Sequence, residues 1–182
     1  IISSMIDSKA QHVFSKDMAY YTRGRIKELV SSRMKHTFII RHPSKTVPSL
    51  YRGTFACENY EQELAFDPGE VGFVELLDVY NYAKELGQTP IVIDSDDLLS
   101  DPEAYMQAYC LAVGLPWRPD MLHWERGVVP KGWEDWDGWH TDAIDSDGLK
   151  KRQHASTPTP TSASITKNPG KYDEEMKVPA VL

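Results

Sequence analysis

Charge along this chain is sorted by sign rather than mixed. Between Ser31 and Cys57 the cationic side chains Arg33, Lys35, Arg41, Lys45 and Arg52 stand with no acid among them, whereas from Glu58 to Glu103 thirteen acids accompany the single Lys84. The middle of the cationic stretch, Phe38-Ile39-Ile40-Arg41-His42-Pro43, runs from a β-rich segment into a proline. In an α/β sheet, anions bind beyond the carboxyl ends of strands and at the starts of the following helices, so a basic cluster at such a point is chemistry for phosphate or sulfate. The plain alternative is a solvated basic face.

The elements that would position this cluster follow from apolar spacing. His36–Ile40 is a compact strand that Pro43 prevents from continuing. A short strand is expected at His12–Ser15, and Ile26, Leu29, Val30 and Met34 share one helical face within 20–34. Phe73, Leu76, Leu77, Tyr80, Ala83 and Leu86 repeat with helical period and Gly87 follows as a stop. Pro90-Ile91-Val92-Ile93-Asp94 reads as a buried strand, and Ser100-Asp101-Pro102-Glu103 has the form of a capping box opening a helix that runs to about Val113 before Gly114. Strand, loop and helix in alternation describe an α/β chain with a parallel sheet. Beyond Pro116, Trp117, Trp124, Trp133, Trp136 and Trp139 crowd a Gly-, Asp- and Pro-rich stretch expected to pack irregularly, and residues 153–164 have a linker composition.

Totals narrow the classes. With 182 residues, 41% of them apolar, the chain suffices for one ordinary core. A formal net charge of −7 and a pI near 5.3 argue against bulk electrostatic binding to nucleic acid or anionic membranes, so an anionic ligand needs the local patch. No apolar run is long enough for a bilayer span and no signal peptide pattern opens the chain, which leads to the expectation of a cytoplasmic protein. Cys57 and Cys110 fit no metal or redox spacing and are expected to be buried thiols, and the His and Asp spacing suggests no metal site. The chain opens Ile1-Ile2-Ser3-Ser4-Met5, which leads to the further expectation of a fragment.

The segment Phe38–Tyr51 resembles the signature of the P-loop sulfotransferases, in which a strand ends in Arg-x-Pro and a serine follows eight residues after the arginine. Asp97-Leu98-Leu99 and Val113-Gly114-Leu115-Pro116 resemble that family's acidic strand-end turn and later helix end. The resemblance implies a three-layer fold, a parallel sheet flanked by helices, incomplete at its N-terminus, with residues 1–152 as a partial domain and 153–182 as linker and tail. It implies the co-substrate 3′-phosphoadenosine 5′-phosphosulfate (PAPS), with Arg41 and Ser49 on its 3′-phosphate. A guanidinium fork matches two phosphate oxygens, and a hydroxyl near a helix N-terminus adds a donor where the dipole favours anions. It also implies a small-molecule or carbohydrate acceptor and no nucleic acid partner.

The family's Lys-x-His after an early strand corresponds to Lys16-Asp17-Met18. Lys16 would steady the departing phosphate, and Asp17 would replace the histidine as base, unless it only caps a helix. Lys131 and Gly132 match the late Arg-Lys-Gly loop that closes over the donor, and His42 would line the site. The Ser/Gly/Thr-rich loop that cradles the 5′-phosphosulfate has no counterpart, so this stretch alone is expected not to turn over. Two further readings stay open. One is a P-loop kinase or NTPase remnant with Asp94 on Mg²⁺, and the other a non-catalytic interaction protein that uses the acidic middle and the tryptophans as a partner surface.

Overall fold

The computed structural model describes residues 9–56, 67–131, 133 and 138–151. In chain order the elements are a 3-10 turn at Ala19–Thr22, α1 (Ile26–Leu29), β1 (Thr37–Ile40), α2 (Pro43–Ala56), a 3-10 turn at Pro68–Val71, α3 (Phe73–Glu85), β2 (Ile91–Asp94), α4 (Ser95–Ser100), α5 (Pro102–Val113), a 3-10 turn at Pro119–Leu122 and α6 (Thr141–Ile144). β1 and β2 pair as a two-stranded parallel sheet. The expected α/β class is therefore present in the form of a mixed α/β structure with a small sheet.

Two compact units divide the described chain, and the division falls inside each strand: Thr37-Phe38 and Ile91-Val92 lie in the first, Ile39-Ile40 and Ile93-Asp94 in the second. The first unit is built on α3. Its buried residues are Glu75, Val79, Tyr80 and Ala83, with Leu76 and Leu77 only half-buried. Apolar spacing alone misplaces the stripe, because an acid lies within it. Arg23 explains that burial: its Nε donates to Glu75 Oε1 at 2.7 Å while its guanidinium lies 4.7 Å from the centre of the Tyr20 ring. A buried carboxylate without such a donor would cost several kcal/mol (about 3–5).

The helix expected across 20–34 does not form as one piece. Gly24 adopts φ +71 between the 3-10 turn and α1, and Val30 leaves the helix in extended conformation, so only two short turns result. The strand expected at His12–Ser15 is likewise absent; the residues are exposed and irregular, and among the described residues no strand lies beside them to satisfy a ladder. Met34 to His36 is held instead by Gln88. Its Nε2 donates to the carbonyls of Ser31 and Met34 at 3.2 and 2.9 Å, and its Oε1 lies 2.9 Å from His36 Nδ1. Gln88 follows Gly87, whose φ of +78 ends α3 as its spacing predicts, with Gln88 N–H bonding back to Ala83 O.

In the second unit β2 delivers Ile93 to the core, and α5 adds Tyr105, Ala108 and Cys110. The capping box expected at Ser100 is displaced by one residue. Ser100 closes α4, its Oγ donating to Asp97 O, and Asp101 is the N-cap of α5 with Pro102 in the first turn. Pro102 requires the extended backbone that an N-cap supplies at Asp101, which leaves Ser100 on the helical side of the break. Gly114 at φ +81 ends α5 as expected. Burial pushes the Cys110 thiol up from its ordinary pKa, and its Sγ sits 3.8 Å from Met121 Sδ. Cys57, Trp136 and the tail from 152 onward lie outside the described residues.

Two outcomes follow from this packing. Gly72, at φ +67, leaves no room for a side chain, because a Cβ would lie 2.8 Å from Tyr20 N. Gly72→Ala should lose about 1–3 kcal/mol of stability, read as a lowered Tm in a thermal melt. Native protein treated with iodoacetamide should leave Cys110 unmodified in peptide mapping, while the same treatment in denaturant labels it.

Candidate functional site

The second unit places the starts of α2 and α4 directly after the carboxyl ends of two hydrogen-bonded parallel strands. Arg41 is the first residue beyond β1 and Ser95 the first beyond β2. His42 acts as the N-cap of α2. Its carbonyl accepts from Lys45 N–H at 2.9 Å and Thr46 N–H at 3.1 Å, and its Nδ1 accepts from Ser44 N–H at 3.2 Å. Ser44 Oγ lies 2.8 Å from the same Nδ1. Spacing alone did not reveal this cap, since histidine is outside the usual N-cap set; the signal available was the adjacent Pro43 at the first helical position.

Thr46 locks the turn from the other side, with Oγ1 3.1 Å from Arg41 O and 3.2 Å from His42 O. Ser49 follows Thr46 by three residues, so the two share a helix face. The helix begins at Pro43, which puts Ser49 at its seventh residue, about 9 Å along the axis. The hydroxyl expected beside the helix start is thus nearly two turns in, where the dipole has faded. Pro48 lies inside α2 and has no N–H to give, which leaves the Ser44 carbonyl without its usual partner. Arg41 and Ser49 are both half-buried, and among the described residues neither side chain has a hydrogen bond or ion pair.

Lys45, in the first turn of α2, is engaged: its Nζ is 2.6 Å from Asp96 Oδ2 on α4. Asp94 caps α4 by accepting from Asp96 N–H at 2.8 Å, which gives this carboxylate a structural use. Ser95 Oγ is buried and, among the described residues, lacks a hydrogen-bond partner. Asp97 lies within α4, its carbonyl accepting from Asp101 N–H.

In the described part of the tryptophan-rich segment, expected to pack, Trp139 is half-buried while Trp124 is 43% exposed. Trp139 lies against Gly53 of α2, where a Cβ would come within 3.0 Å of the indole, and Trp133 stacks on His140 at 4.1 Å. Trp124 Nε1 donates to Ser146 Oγ at 3.0 Å, and His123 pairs with Gly148 as an isolated antiparallel bridge. Gly53, the residue that Trp139 covers, is one turn beyond Ser49 on α2.

The remaining expected site residues are placed as follows. Lys16 and Asp17 lie in the first unit, exposed, in irregular chain. Asp17 Oδ1 accepts from Met18 N–H at 2.8 Å, and Met18, not Asp17, is the N-cap of the 3-10 turn. Lys131 is exposed in the second unit, and Gly132 lies outside the described residues. The structure brings Arg41 and Ser49 onto one turn-and-helix unit.

A family model described as a sulfotransferase domain matches residues 2–153. This chain belongs to the sulfotransferase domain family. Among curated proteins, the domain is 31% identical over 124 residues to branched-chain-amino-acid aminotransferase-like protein 2 of Arabidopsis thaliana, covering 67% of this chain and 20% of that protein. It is 28% identical over 108 residues to sulfotransferase ppzF of Metarhizium rileyi, covering 50% of this chain and 30% of the relative. This sulfotransferase domain thus spans 20–30% of the length of these curated relatives. No solved structure matches it. Among the described residues, no helix is long and apolar enough to cross a membrane.

Gly53→Val in this domain should displace Trp139 and open the packing on α2, with a loss of about 1–3 kcal/mol. A lowered Tm together with a changed near-ultraviolet circular dichroism spectrum checks it.

Proposed function

We propose that this domain takes part in sulfuryl transfer from PAPS to an acceptor hydroxyl or amine and holds the donor's 3′-phosphate between Arg41 and Ser49. The observation that carries the reading is the state of Arg41: in a sulfotransferase domain, a guanidinium without an ion-pair partner among the described residues stands at the end of β1 beside the start of α2. A half-buried cation without a counter-charge is costly unless a ligand supplies one.

In the proposed reaction the acceptor oxygen attacks the donor sulfur as the bond to the bridging phosphate oxygen breaks. The leaving group is adenosine 3′,5′-bisphosphate. In the second unit, Lys131 with Gly132 would add donor contacts. Arg41 and Ser49 contribute binding and orientation, which fixes the donor for in-line attack. The name of one fungal relative, a sulfotransferase, agrees with this activity.

Isothermal titration with adenosine 3′,5′-bisphosphate tests the site. Arg41→Ala should weaken binding about 10- to 100-fold, as expected for loss of a charge-assisted fork, and Ser49→Ala by about 3- to 10-fold. Binding by Arg41→Ala equal to that of the unmodified protein would remove the assignment. Tighter binding of ATP with Mg²⁺ than of the bisphosphate would favour the NTPase reading.

A further inference from the structure

The pair formed by Lys45 and Asp96 joins two elements 51 residues apart in sequence, at 2.6 Å, with both side chains partly exposed at 48% and 39%. An ion pair this exposed contributes only about 0–1 kcal/mol to stability, so holding the fold together is a poor account of it. Its position is more informative. Lys45 lies four residues after Arg41 and four before Ser49 on α2, which places Lys45 and Ser49 on the same helix face with Cβ atoms about 6 Å apart. A lysine stem extends about that far again, so its ammonium can reach an anion that Ser49 contacts. What holds it elsewhere is the Asp96 carboxylate at the start of α4.

We propose that Lys45 is a third ligand for the anion at the end of β1, and that binding passes its ammonium from Asp96 to that anion. The inference rests on the proposed 3′-phosphate site and adds to it a competition. Asp96 sets the affinity by offering Lys45 an internal partner, and it supplies a carboxylate to reject anions that bring less than the double charge of a phosphate monoester. A doubly charged phosphate outcompetes one carboxylate for an ammonium; a carboxylate or singly charged ligand does not. No covalent bond is made or broken in the exchange.

Titration of adenosine 3′,5′-bisphosphate into four proteins decides the matter: unmodified, Asp96→Asn, Lys45→Gln and the double variant, with Arg41→Ala alongside. Asp96→Asn should bind about 3-fold or more tighter and Lys45→Gln about 3-fold or more weaker than the unmodified protein, with Tm values close to one another. Removing Lys45 should cost a larger factor in the Asp96→Asn background than in the original, because there Lys45 has no other partner to give up. Equal affinities for the double variant and Asp96→Asn would overturn the exchange, since Lys45 would then not touch the anion. Should Asp96→Asn lose its fold, Lys45→Gln carries the test alone, and unchanged affinity overturns the proposal. Loss of binding in Arg41→Ala together with no effect at Lys45 would sink only this inference, whereas no binding by the unmodified protein would sink the phosphate site with it.

Discussion

Pro43 can neither donate to a β ladder nor follow a residue in helical conformation, and it is well suited to the first position of a helix. Chain direction therefore has to change at Arg41-His42, and the change is locked from three sides. His42 caps the new helix with its carbonyl and its ring, and Thr46 ties its hydroxyl back to the carbonyls of Arg41 and His42. The position of the Arg41 backbone relative to α2 is set by these bonds, and every reading of the site depends on that.

A second constraint acts between elements. Parallel strands need a crossover, and the crossover here consumes α2 and α3 before β2 pairs with β1. Once paired, the two strands end at the same edge, and the helices that follow begin there. Asp96 and Lys45 meet for this reason, although nothing in their local sequences associates them. The acidic run after β2 spends its carboxylates differently residue by residue: Asp94 and Asp101 cap helices, while Asp96 faces a cation. Segregated charge in the sequence thus becomes a neutralised contact on α2, close in sequence to Arg41, a cation with no ion-pair partner among the described residues.

Much was legible from spacing. β1, β2, α3 and α5 were visible because a buried strand or an amphipathic helix of a dozen residues leaves a strong apolar period, and Gly87 and Gly114 marked helix ends because only glycine adopts φ near +80 without strain. The short elements were not legible. A helix spanning 20–34 lost to Gly24 and to the contacts of Tyr20 and Arg23 with Gly72 and Glu75, which reward two separate turns over one continuous helix. Residues 12–15 had strand composition and, among the described residues, no strand beside them. Ser100 looked like a cap, but Pro102 puts the required extended backbone at Asp101.

The sequence by itself determined the class and the motif. Arg41, Pro43 and Ser49 stand at fixed separations along one chain, and a strand break followed by a helix converts those separations into a local geometry with little freedom. It also determined the family, since the sulfotransferase domain match follows from residues in order. Tertiary structure decided which charges are available and which are spent. Glu75 is buried because Arg23 reaches it, Lys45 is held because Asp96 arrives from another strand, and Arg41 keeps its charge because no acid among the described residues does the same for it. Pairing depends on distance in space at the scale of a few ångströms, and a linear pattern specifies that only within a helical turn or a short loop.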